Sequence, residues 1–396
     1  MSTLKATNIQ NAASSSTNIV LGTSGDVTVA GTSTFGGNGT FSGTAVMSSP
    51  YTMRNKIING AMVIDQRNAG ASISGNNTSF GVDRFQVLAS VNSKFNIQQN
   101  AGSVTPPAGF SNYLGVTSTS AYTAGATEIF VLVQKIEGLN IADLAYGSAS
   151  AQTVTISFWV RSSLTGTFSG YIQNSAADRS YVFSYTINAA NTWEQKSVTI
   201  AGDTTGTWLT SSGIGFRVGI TLAAGSSSTT TAGSWVASDK YGVTGTTSIV
   251  GTNGATFYIT GVQLERGTIA TPFEYRIYQQ ELAMCQRYYF KYTAPSSGTH
   301  FGAGFCNSTT AMQNLTVFPV PLRTNPTAIE QSGTASDYRV LTSGGNTTCN
   351  AVPVFQDAGY FSARTNFAVA SGLTAGQGAM GGANTSSAYL AWSAEL

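Results

Sequence analysis

Residues 52–275 consist mainly of short segments in which apolar and polar residues alternate, the pattern typical of β-strands. Gly, Asn, Asp and Ser separate these segments, and helical periodicity is almost absent from them. The predicted strands are Lys56–Ile64, Asp83–Leu88, Phe95–Gln99, Tyr113–Ser118, Ile129–Ile136, Thr153–Arg161, Gly166–Asn174, Ser180–Ile187, Trp193–Ile200, Ile214–Leu222 and Thr256–Leu264. So many short strands in succession predict an all-β domain over residues 51–275, a sandwich of antiparallel strands.

One stretch departs from this pattern and predicts a helix. After the strand breakers Gly267 and Pro272, apolar residues recur at the spacing of one helix face. These residues are Tyr278, Leu282, Cys285 and Tyr289. We therefore predict one linking helix over residues 276–291, about four turns long, which is too short for a stable free coiled coil. The helix could pack on the sandwich or against two further copies at a three-fold axis, and we favour the second arrangement.

The last part of the chain, residues 292–396, predicts a second and smaller β-sandwich. Its expected strands are Ala351–Phe355, Arg364–Val369 and Ala388–Glu395. Pro319, Pro321 and Pro326 favour edge strands or loops before them. The Gly-rich segment 372–387 is predicted to be a loop, either an adaptable ligand-binding loop or a plain hairpin connection.

Composition excludes several classes of function. Charged residues make up 9% of the chain and its net charge is +2, so we expect no electrostatic binding of nucleic acid. Because no run approaches about 18 apolar residues, we expect no membrane insertion. The opening MSTLKATNIQ lacks the apolar core of a secretory signal. Three widely spaced cysteines and one histidine predict buried thiols, with no metal and no cofactor.

Residues 1–50 carry a six-residue repeat. Its glycines are Gly25, Gly31, Gly37 and Gly43, and its large apolar residues are Val29, Phe35, Phe41 and Met47. Such a period fits a short strand followed by a Gly-permitted turn. One chain would bury too little apolar surface in this way, so we predict a β-shaft over residues 19–48 made by three chains. A flexible Gly/Ser/Thr linker is the alternative.

Several separated motifs, in order, resemble receptor-binding and tail-fibre proteins of tailed bacteriophages. They are RNKIINGAMVIDQR (54–67), VDRF (82–85), GVQLERGTIATPFEYR (261–276) and QELAMCQRYYFK (280–291). VPLRTNPT (320–327) and the closing strand Tyr389–Leu396 resemble elements of fibre tip domains. The resemblance implies a homotrimeric virion component that docks to a tail or adaptor protein through residues 1–18. It also implies binding to polysaccharide or lipopolysaccharide on the host cell surface.

The strand order also resembles jelly-roll carbohydrate-binding modules, in which the first and last strands pair. This resemblance predicts that Asn59–Ile64 lies beside Ile259–Leu264. Rare charges recur inside the motifs, namely Arg67, Asp83, Arg84, Glu265 and Arg276. They are either a ligand or catalytic site or a set of ion pairs that fixes the ends of the module. The ion pairs are favoured, because a buried charge without a partner is costly.

Aromatic side chains beside Gly/Ser/Thr-rich loops are the predicted ligand contacts, because sugar rings stack on aromatic planes. The selected residues are Trp208, Trp235 and Tyr241, together with Asn384 in the Gly-rich segment. Trp159 and Trp193 are expected to fill the sandwich core instead. We expect Trp235 and Tyr241 to be the more exposed.

We expect a binding protein and not an enzyme. Hydrolysis of a glycoside needs two suitably spaced carboxylates, and no pair here carries a recognisable motif. The acids considered are Asp83, Asp178, Asp203, Asp239, Glu265 and Glu274. Two alternatives to a glycan-binding fibre remain: a tail decoration protein without receptor binding, and a depolymerase tailspike.

Overall fold

A computed structural model describes residues 53–396 and, before them, the backbone of three short strands. The chain divides into two compact units, residues 1–48 and 49–396. In the first unit, β1 (Asn8–Ile9), β2 (Ile19–Leu21) and β3 (Val27–Val29) pair in that order as an antiparallel sheet. Most of the predicted trimeric shaft (19–48) and attachment segment (1–18) lies outside the described residues, and both stay predictions.

The second unit opens with a two-layer sandwich, so the predicted all-β jelly-roll fold is confirmed. Its strands are β4 (Ile73–Ser74), β5 (Phe80–Val82), β6 (Phe85–Ala89), β7 (Phe95–Gln99), β8 (Leu114–Ser118), β9 (Ile129–Glu137), β10 (Val154–Ser162), β11 (Gly166–Gln173), β12 (Ser180–Ile187), β13 (Glu194–Ile200), β14 (Ile214–Ala224), β15 (Thr229–Thr230), β16 (Trp235–Val236), β17 (Gly242–Val243) and β18 (Thr256–Arg266). One sheet has the order β13-β10-β18-β8-β7-β4 and the other β16-β12-β11-β14-β9-β6-β5, while β15 and β17 form a short parallel pair.

Strand alternation places the core between the two sheets. Along β10, the alternate side chains Val154, Ile156, Phe158 and Val160 are fully buried, whereas Trp159 on the opposite face is half-buried. Each such aliphatic or aromatic side chain contributes about 1.5–3 kcal/mol on burial. The period of two read from VTISFWV therefore fixes which face of this strand points inward.

The opening segment of the sandwich meets its closing strand, as predicted. The Lys56 amide donates to the Leu264 carbonyl at 2.8 Å, and the Val262 amide donates to Gly60 at 2.9 Å. The prediction of a strand at Lys56–Ile64 is wrong, because the backbone turns there. A Cβ atom on Gly60 would clash with the Val262 carbonyl, so the INGAM motif needs glycine at this close approach.

The linking helix is shorter than predicted: α1 spans Tyr278–Gln286, nine residues. Tyr289, which the sequence placed on the helix, instead begins a strand, because YYFKYT alternates with a period of two. Cys285 is fully buried against Ile58 and Ile64 of the same chain. The helix therefore covers its apolar stripe within one chain, apart from Tyr278 at its start, which is 55% exposed.

The remainder of the chain forms two more sheets around a second core. Its strands are β19 (Tyr289–Thr293), β20 (His300–Cys306), β21 (Ala311–Val317), β22 (Glu330–Gln331), β23 (Tyr338–Thr342), β24 (Gly345–Thr348), β25 (Val354–Ala358), β26 (Ser362–Ala368), β27 (Gly378–Ala383) and β28 (Tyr389–Ser393). The small sheet has the order β19-β28-β22, and the large one β24-β23-β27-β20-β21-β26-β25. Fully buried Trp392 stacks on Phe290 at a centroid distance of 6.0 Å in this core.

The Gly-rich segment 372–387 is not simply a loop, because it contains β27 between β23 and β20. The prediction of a loop is wrong because close packing between strands requires glycine here. A Cβ atom on Gly381 would lie 2.9 Å from both the Asn314 side chain and the Phe367 ring. Glycine is needed there to let the strand approach its neighbours, so a composition typical of loops occurs inside a sheet.

Two further expectations can be compared with the described residues. All three cysteines are free and buried, as predicted. Over residues 53–396, no helix has the length and apolar character required to cross a bilayer.

Candidate functional site

The charged motif residues form ion pairs at the junction between the sandwich and the C-terminal sheets. Arg67 lies 3.2 Å from Glu395 and 3.7 Å from Asp83, and Arg84 also pairs with Glu395. The guanidinium of Arg84 lies 3.6 Å from the centre of the Tyr288 ring. The contacts with Glu395 and Tyr288 join residues more than 200 positions apart in sequence, so the ion-pair interpretation of the motif charges is confirmed here.

A second group of ion pairs fixes the opening segment to the helix. Arg276, whose side chain is 3% exposed, lies 3.4 Å from Glu274 and 3.5 Å from Glu281. It also donates to the carbonyls of Asn55 and Ile57. Arg276 therefore satisfies two carboxylates and two backbone carbonyls at once.

Glu137, at the end of β9, provides the third link. Its carboxylate is 1% exposed and accepts hydrogen bonds from Arg287 at 2.7 and 3.0 Å and from the Tyr288 hydroxyl at 2.8 Å. In the Arg276 group, Arg54 lies 3.6 Å from Glu265, and its amide donates to Glu274 at 3.3 Å. Because each of these buried charges faces an opposite charge, they form a network of ion pairs that joins the two parts of the chain.

Within this network, burial raises the pKa of Asp83 from 3.8 to about 6, although nearby Arg67 opposes the shift. The folded protein therefore keeps this proton to a higher pH than the unfolded chain does. The stability linked to Asp83 is fully present below pH 3.8 and is lost as the pH rises through about 6.

We expect the Asp83→Asn variant to gain stability relative to the wild type as the pH rises, by on the order of 2–3 kcal/mol from about pH 4 to about pH 7. Denaturant unfolding at each pH measures this difference. Asp357→Asn is the matched control, because that side chain is 61% exposed. Parallel pH profiles for Asp83→Asn and the wild type would contradict the expectation.

Two of the predicted ligand residues, Trp208 and Trp235, lie together, with ring centroids 5.4 Å apart. Trp208 is 7% exposed and contacts Tyr146 and Phe216 edge-on, each at 5.0 Å. Trp235, on β16, is half-buried, and its indole N–H donates to the Ala201 carbonyl at 2.8 Å. In this structure both indole rings pack with the sandwich core.

Tyr241 and Asn384 lie apart from that pair. Tyr241 packs edge-on against buried Tyr171 on the outer face of the seven-stranded sheet, at 5.1 Å, and its hydroxyl lies 3.3 Å from Asp239. Burial raises the pKa of Tyr241 to about 12. Asn384, in the C-terminal domain, donates from its side chain to Ser336 at 2.9 Å. The structure thus does not gather the four predicted residues into one site.

A pocket that the sequence analysis did not select lies beside the segment 226–246, which we call the arm. The arm returns on itself through β15 and β17, and Thr244 donates to Thr229 between their hydroxyls at 3.2 Å. The pocket between the arm and two neighbouring loops has a volume of about 350 Å³. It is lined by Tyr122, Thr123, Ala124, Ala223, Ala224, Ser226, Thr229, Val243, Thr244, Gly245, Thr246, Ser248 and Gly251. We call it the loop-end pocket.

The chemistry of the loop-end pocket is uncharged and rich in hydroxyl groups. All thirteen lining residues are uncharged, and seven of them carry a hydroxyl. The aromatic residue of the pocket is Tyr122. The Tyr122 hydroxyl donates to Glu128 at 2.9 Å, and this hydrogen bond raises the pKa of Tyr122. Hydroxyl groups both donate and accept, and the Tyr122 ring and alanine methyls add apolar surface. The pocket can therefore pair with a neutral polyhydroxylated molecule.

Sequence reasoning missed this pocket because its walls come from three separate segments. The run TGTTS (244–248) is as rich in hydroxyl groups as the pocket lining, but similar Ser/Thr/Gly runs occur throughout the chain. The Tyr122 amide donates to the Val250 carbonyl, just beyond the arm, at 2.8 Å. That contact joins loops that are far apart in sequence.

No family model and no curated protein sequence matches the chain. Among solved structures, it is similar to the enzymatically active domain of bacteriophage CBA120 tailspike protein 4, at 10% identity and a TM-score of 0.30. That similarity covers 54% of this chain and 22% of the tailspike domain.

Two carbohydrate-binding modules are also similar in structure. TmCBM61, solved with β-1,4-galactotriose, has 9% identity and a TM-score of 0.28, covering 54% of this chain and 99% of the module. The family 11 module from Clostridium thermocellum, solved with a β-1,3-1,4-mixed-linked tetrasaccharide, has 12% identity and a TM-score of 0.25. It covers 50% of this chain and 98% of its own.

Proposed function

We propose that this protein binds carbohydrate through the loop-end pocket and does so as a non-enzymatic, homotrimeric tail-fibre component of a bacteriophage virion. Its target is polysaccharide or lipopolysaccharide on the host cell surface. The observation that carries the proposal is the uncharged, hydroxyl-lined pocket of about 350 Å³. This volume falls within the range of small-molecule sites, about 300–1,000 Å³.

The pocket chemistry supports a neutral saccharide as the ligand. Binding an ionic group in a pocket without charged walls would cost desolvation that nothing there compensates. Sugar hydroxyls, in contrast, find acceptors on Thr229 and Thr244, whose own protons are bonded within the arm, and a donor on Ser248. The methyl groups of Ala124, Ala223 and Ala224 supply apolar surface for the C–H groups of a sugar.

The structural roles of the carboxylates support binding without catalysis. Asp203 accepts two hydrogen bonds from Arg179, at 2.7 and 2.8 Å, and Glu265 accepts from Thr271. Glu274 accepts from the backbone amide of Asn55 at 2.9 Å. Carboxylates engaged in this way hold loops and segment ends, and their chemistry is already used within the fold.

The outer face of the large C-terminal sheet supports assembly with further copies. Leu315 and Met380 both flank Ala303 in the strand register, and they are 48% and 36% exposed. Phe305, on the same strand as Ala303, is 51% exposed. Exposed apolar residues that cluster on one sheet face are typical of a protein interface. A trimer mass in light scattering is the expected result, and a monomer would contradict this part of the proposal.

The full-length protein and two charge-matched variants test the pocket. We expect Thr244→Arg, which places a bulky cation in the pocket, to weaken binding to purified host surface polysaccharide at least tenfold. Thr374→Arg, on an exposed loop of the C-terminal domain, should bind like the wild type. Matching melting temperatures confirm that both variants are folded. Unchanged binding by folded Thr244→Arg would overturn the proposed site.

A further inference from the structure

A second open site lies at the junction of the sandwich with the small sheet β19-β28-β22. Two adjoining pockets, of about 430 and 400 Å³, share Glu330 and Ser393, and we call them together the junction groove. Arg67 and Phe80 of the sandwich form one wall, and Tyr289, Lys291 and Tyr389 of the small sheet lie opposite. The groove is separate from the loop-end pocket, with which it shares no residue.

Strand register determines which small-sheet residues face the groove. Lys291 lies directly opposite Ala391, and Glu330 lies opposite the same Ala391 from the other side. Residues directly opposite on neighbouring antiparallel strands share a face, so a cation and a carboxylate flank one small residue. Two strand spacings place their backbones roughly 10 Å apart. Phe290 and Trp392 point to the opposite face, into the C-terminal core.

Lys291 is available to an anionic group. Among the described residues, its ammonium donates to the carbonyl of Arg67 at 2.9 Å and lies 4.3 Å from the centre of the Tyr389 ring, with no carboxylate in ion-pair range. Burial lowers the pKa of Lys291, and Glu330 opposes that shift. A half-buried ammonium held by a carbonyl and an aromatic ring retains capacity for one negatively charged partner.

Glu330 and the aromatic residues supply the other requirements of a sugar site. Glu330 accepts one hydrogen bond, from the Tyr289 hydroxyl to Oε2 at 2.8 Å, and its Oε1 remains for a ligand hydroxyl. The Arg67 guanidinium lies between the rings of Phe80 and Tyr289, at 4.1 and 3.6 Å from their centres. Because Arg67 already pairs with Glu395 and Asp83, Lys291 is the cation of the groove that a ligand can engage.

We propose that the junction groove binds an acidic saccharide unit, with the sugar carboxylate on Lys291 and its hydroxyl groups on Glu330. The cation and the acceptor both line the pocket of about 430 Å³, where one sugar ring can reach the two side chains together. This site goes beyond the loop-end pocket, which has no charged lining, and gives the protein separate positions for neutral and acidic sugars. The volume of the groove accommodates more than one sugar residue.

The test compares ligands that differ in the carboxylate alone. Full-length protein is titrated calorimetrically with oligogalacturonate and with the same oligomer after reduction of its carboxyl groups to alcohols. We expect the acidic form to bind at least tenfold more tightly. We expect Lys291→Gln to abolish this preference and Glu330→Gln to weaken binding of the acidic form several-fold. Equal affinity for the two forms, or binding by neither, would overturn the proposal.

Control variants keep the result interpretable. Lys94 also lies over a tyrosine ring, 4.4 Å from the centre of Tyr122, so Lys94→Gln matches Lys291→Gln outside the groove. Lys94→Gln and Thr244→Arg should both retain the preference for the acidic oligomer, and loss of it in either would place the acidic ligand elsewhere. If Lys291→Gln lowers the melting temperature, Ser393→Phe, which fills the groove and keeps the lysine, provides the same test. Failure of Thr244→Arg to weaken polysaccharide binding would overturn the loop-end pocket and leave this result standing.

Discussion

We expect the Arg276→Ala variant to lose about 3–5 kcal/mol of unfolding free energy, because it leaves two carboxylates near one another without their cation. Glu281 is buried and also accepts from the Asn59 amide, so it cannot turn to water without breaking the opening segment. Glu274 still accepts from the Asn55 amide but loses its charged partner. The Asn55 and Ile57 carbonyls lose a donor at the same time. Urea denaturation followed by tryptophan fluorescence measures the loss.

Arg364→Ala is the matched control for this experiment. Arg364 also pairs with a carboxylate, Asp357, but the two side chains are 48% and 61% exposed. Exposed ion pairs contribute about 0–1 kcal/mol, so this variant should unfold almost like the wild type. Similar losses for Arg276→Ala and Arg364→Ala would show that burial at the junction does not strengthen its ion pairs.

The second large effect is expected from Trp208→Ala, which should lower the unfolding free energy by about 3–5 kcal/mol. The substitution removes a 7% exposed ring that Tyr146, Phe216 and Trp235 contact, and it leaves a cavity at the end of the core. Thermal and denaturant unfolding measure the loss. The result also tests the prediction that Trp208 is a ligand contact, because replacing a ligand-binding residue on the surface would change the unfolding free energy very little.

Phe361→Ala provides the aromatic control, because that side chain is 65% exposed. Its loss should change stability by no more than about 0.5 kcal/mol. Should Trp208→Ala keep full stability and lose polysaccharide binding, the ring would be a ligand contact and its packing role would be wrong.

Strand positions could be predicted from the sequence where one face is buried and the other is not. The predicted strands Phe95–Gln99 and Ser180–Ile187 agree with β7 and β12 at both ends, because alternation and flanking turn residues coincide there. The opening segment does not form the predicted strand, because Asn59 and Met62 adopt positive φ angles of 61° and 59° that interrupt an extended backbone. Its position beside β18 agrees with the prediction from the strand order, which resembles jelly-roll modules in which the first and last strands pair.

Site residues were harder to predict than strands, because a pocket depends on contacts between distant segments. Rare charges within motifs indicated the ion pairs correctly, since burial of a charge constrains its neighbours strongly. An aromatic residue in a polar loop is equally consistent with a ligand contact and with a position at the edge of the core. Trp235 takes the second position, with its indole N–H bonded to the Ala201 carbonyl. The junction groove joins Arg67 to Lys291, which no local pattern relates.

The contact between the opening segment and the closing strand has a mechanical consequence. Because Gly60 and Val262 are bonded, the chain enters and leaves the sandwich at nearly the same place. A pull between residue 53 and the C-terminal sheets would load these few contacts, the nearby Arg276 pairs and the ion pairs of Glu395 and Glu137 before it loaded the thirteen strands of the two facing sheets. The rest of the sandwich, with its loops, lies outside the path of this force. It would therefore keep its shape when the chain is stretched.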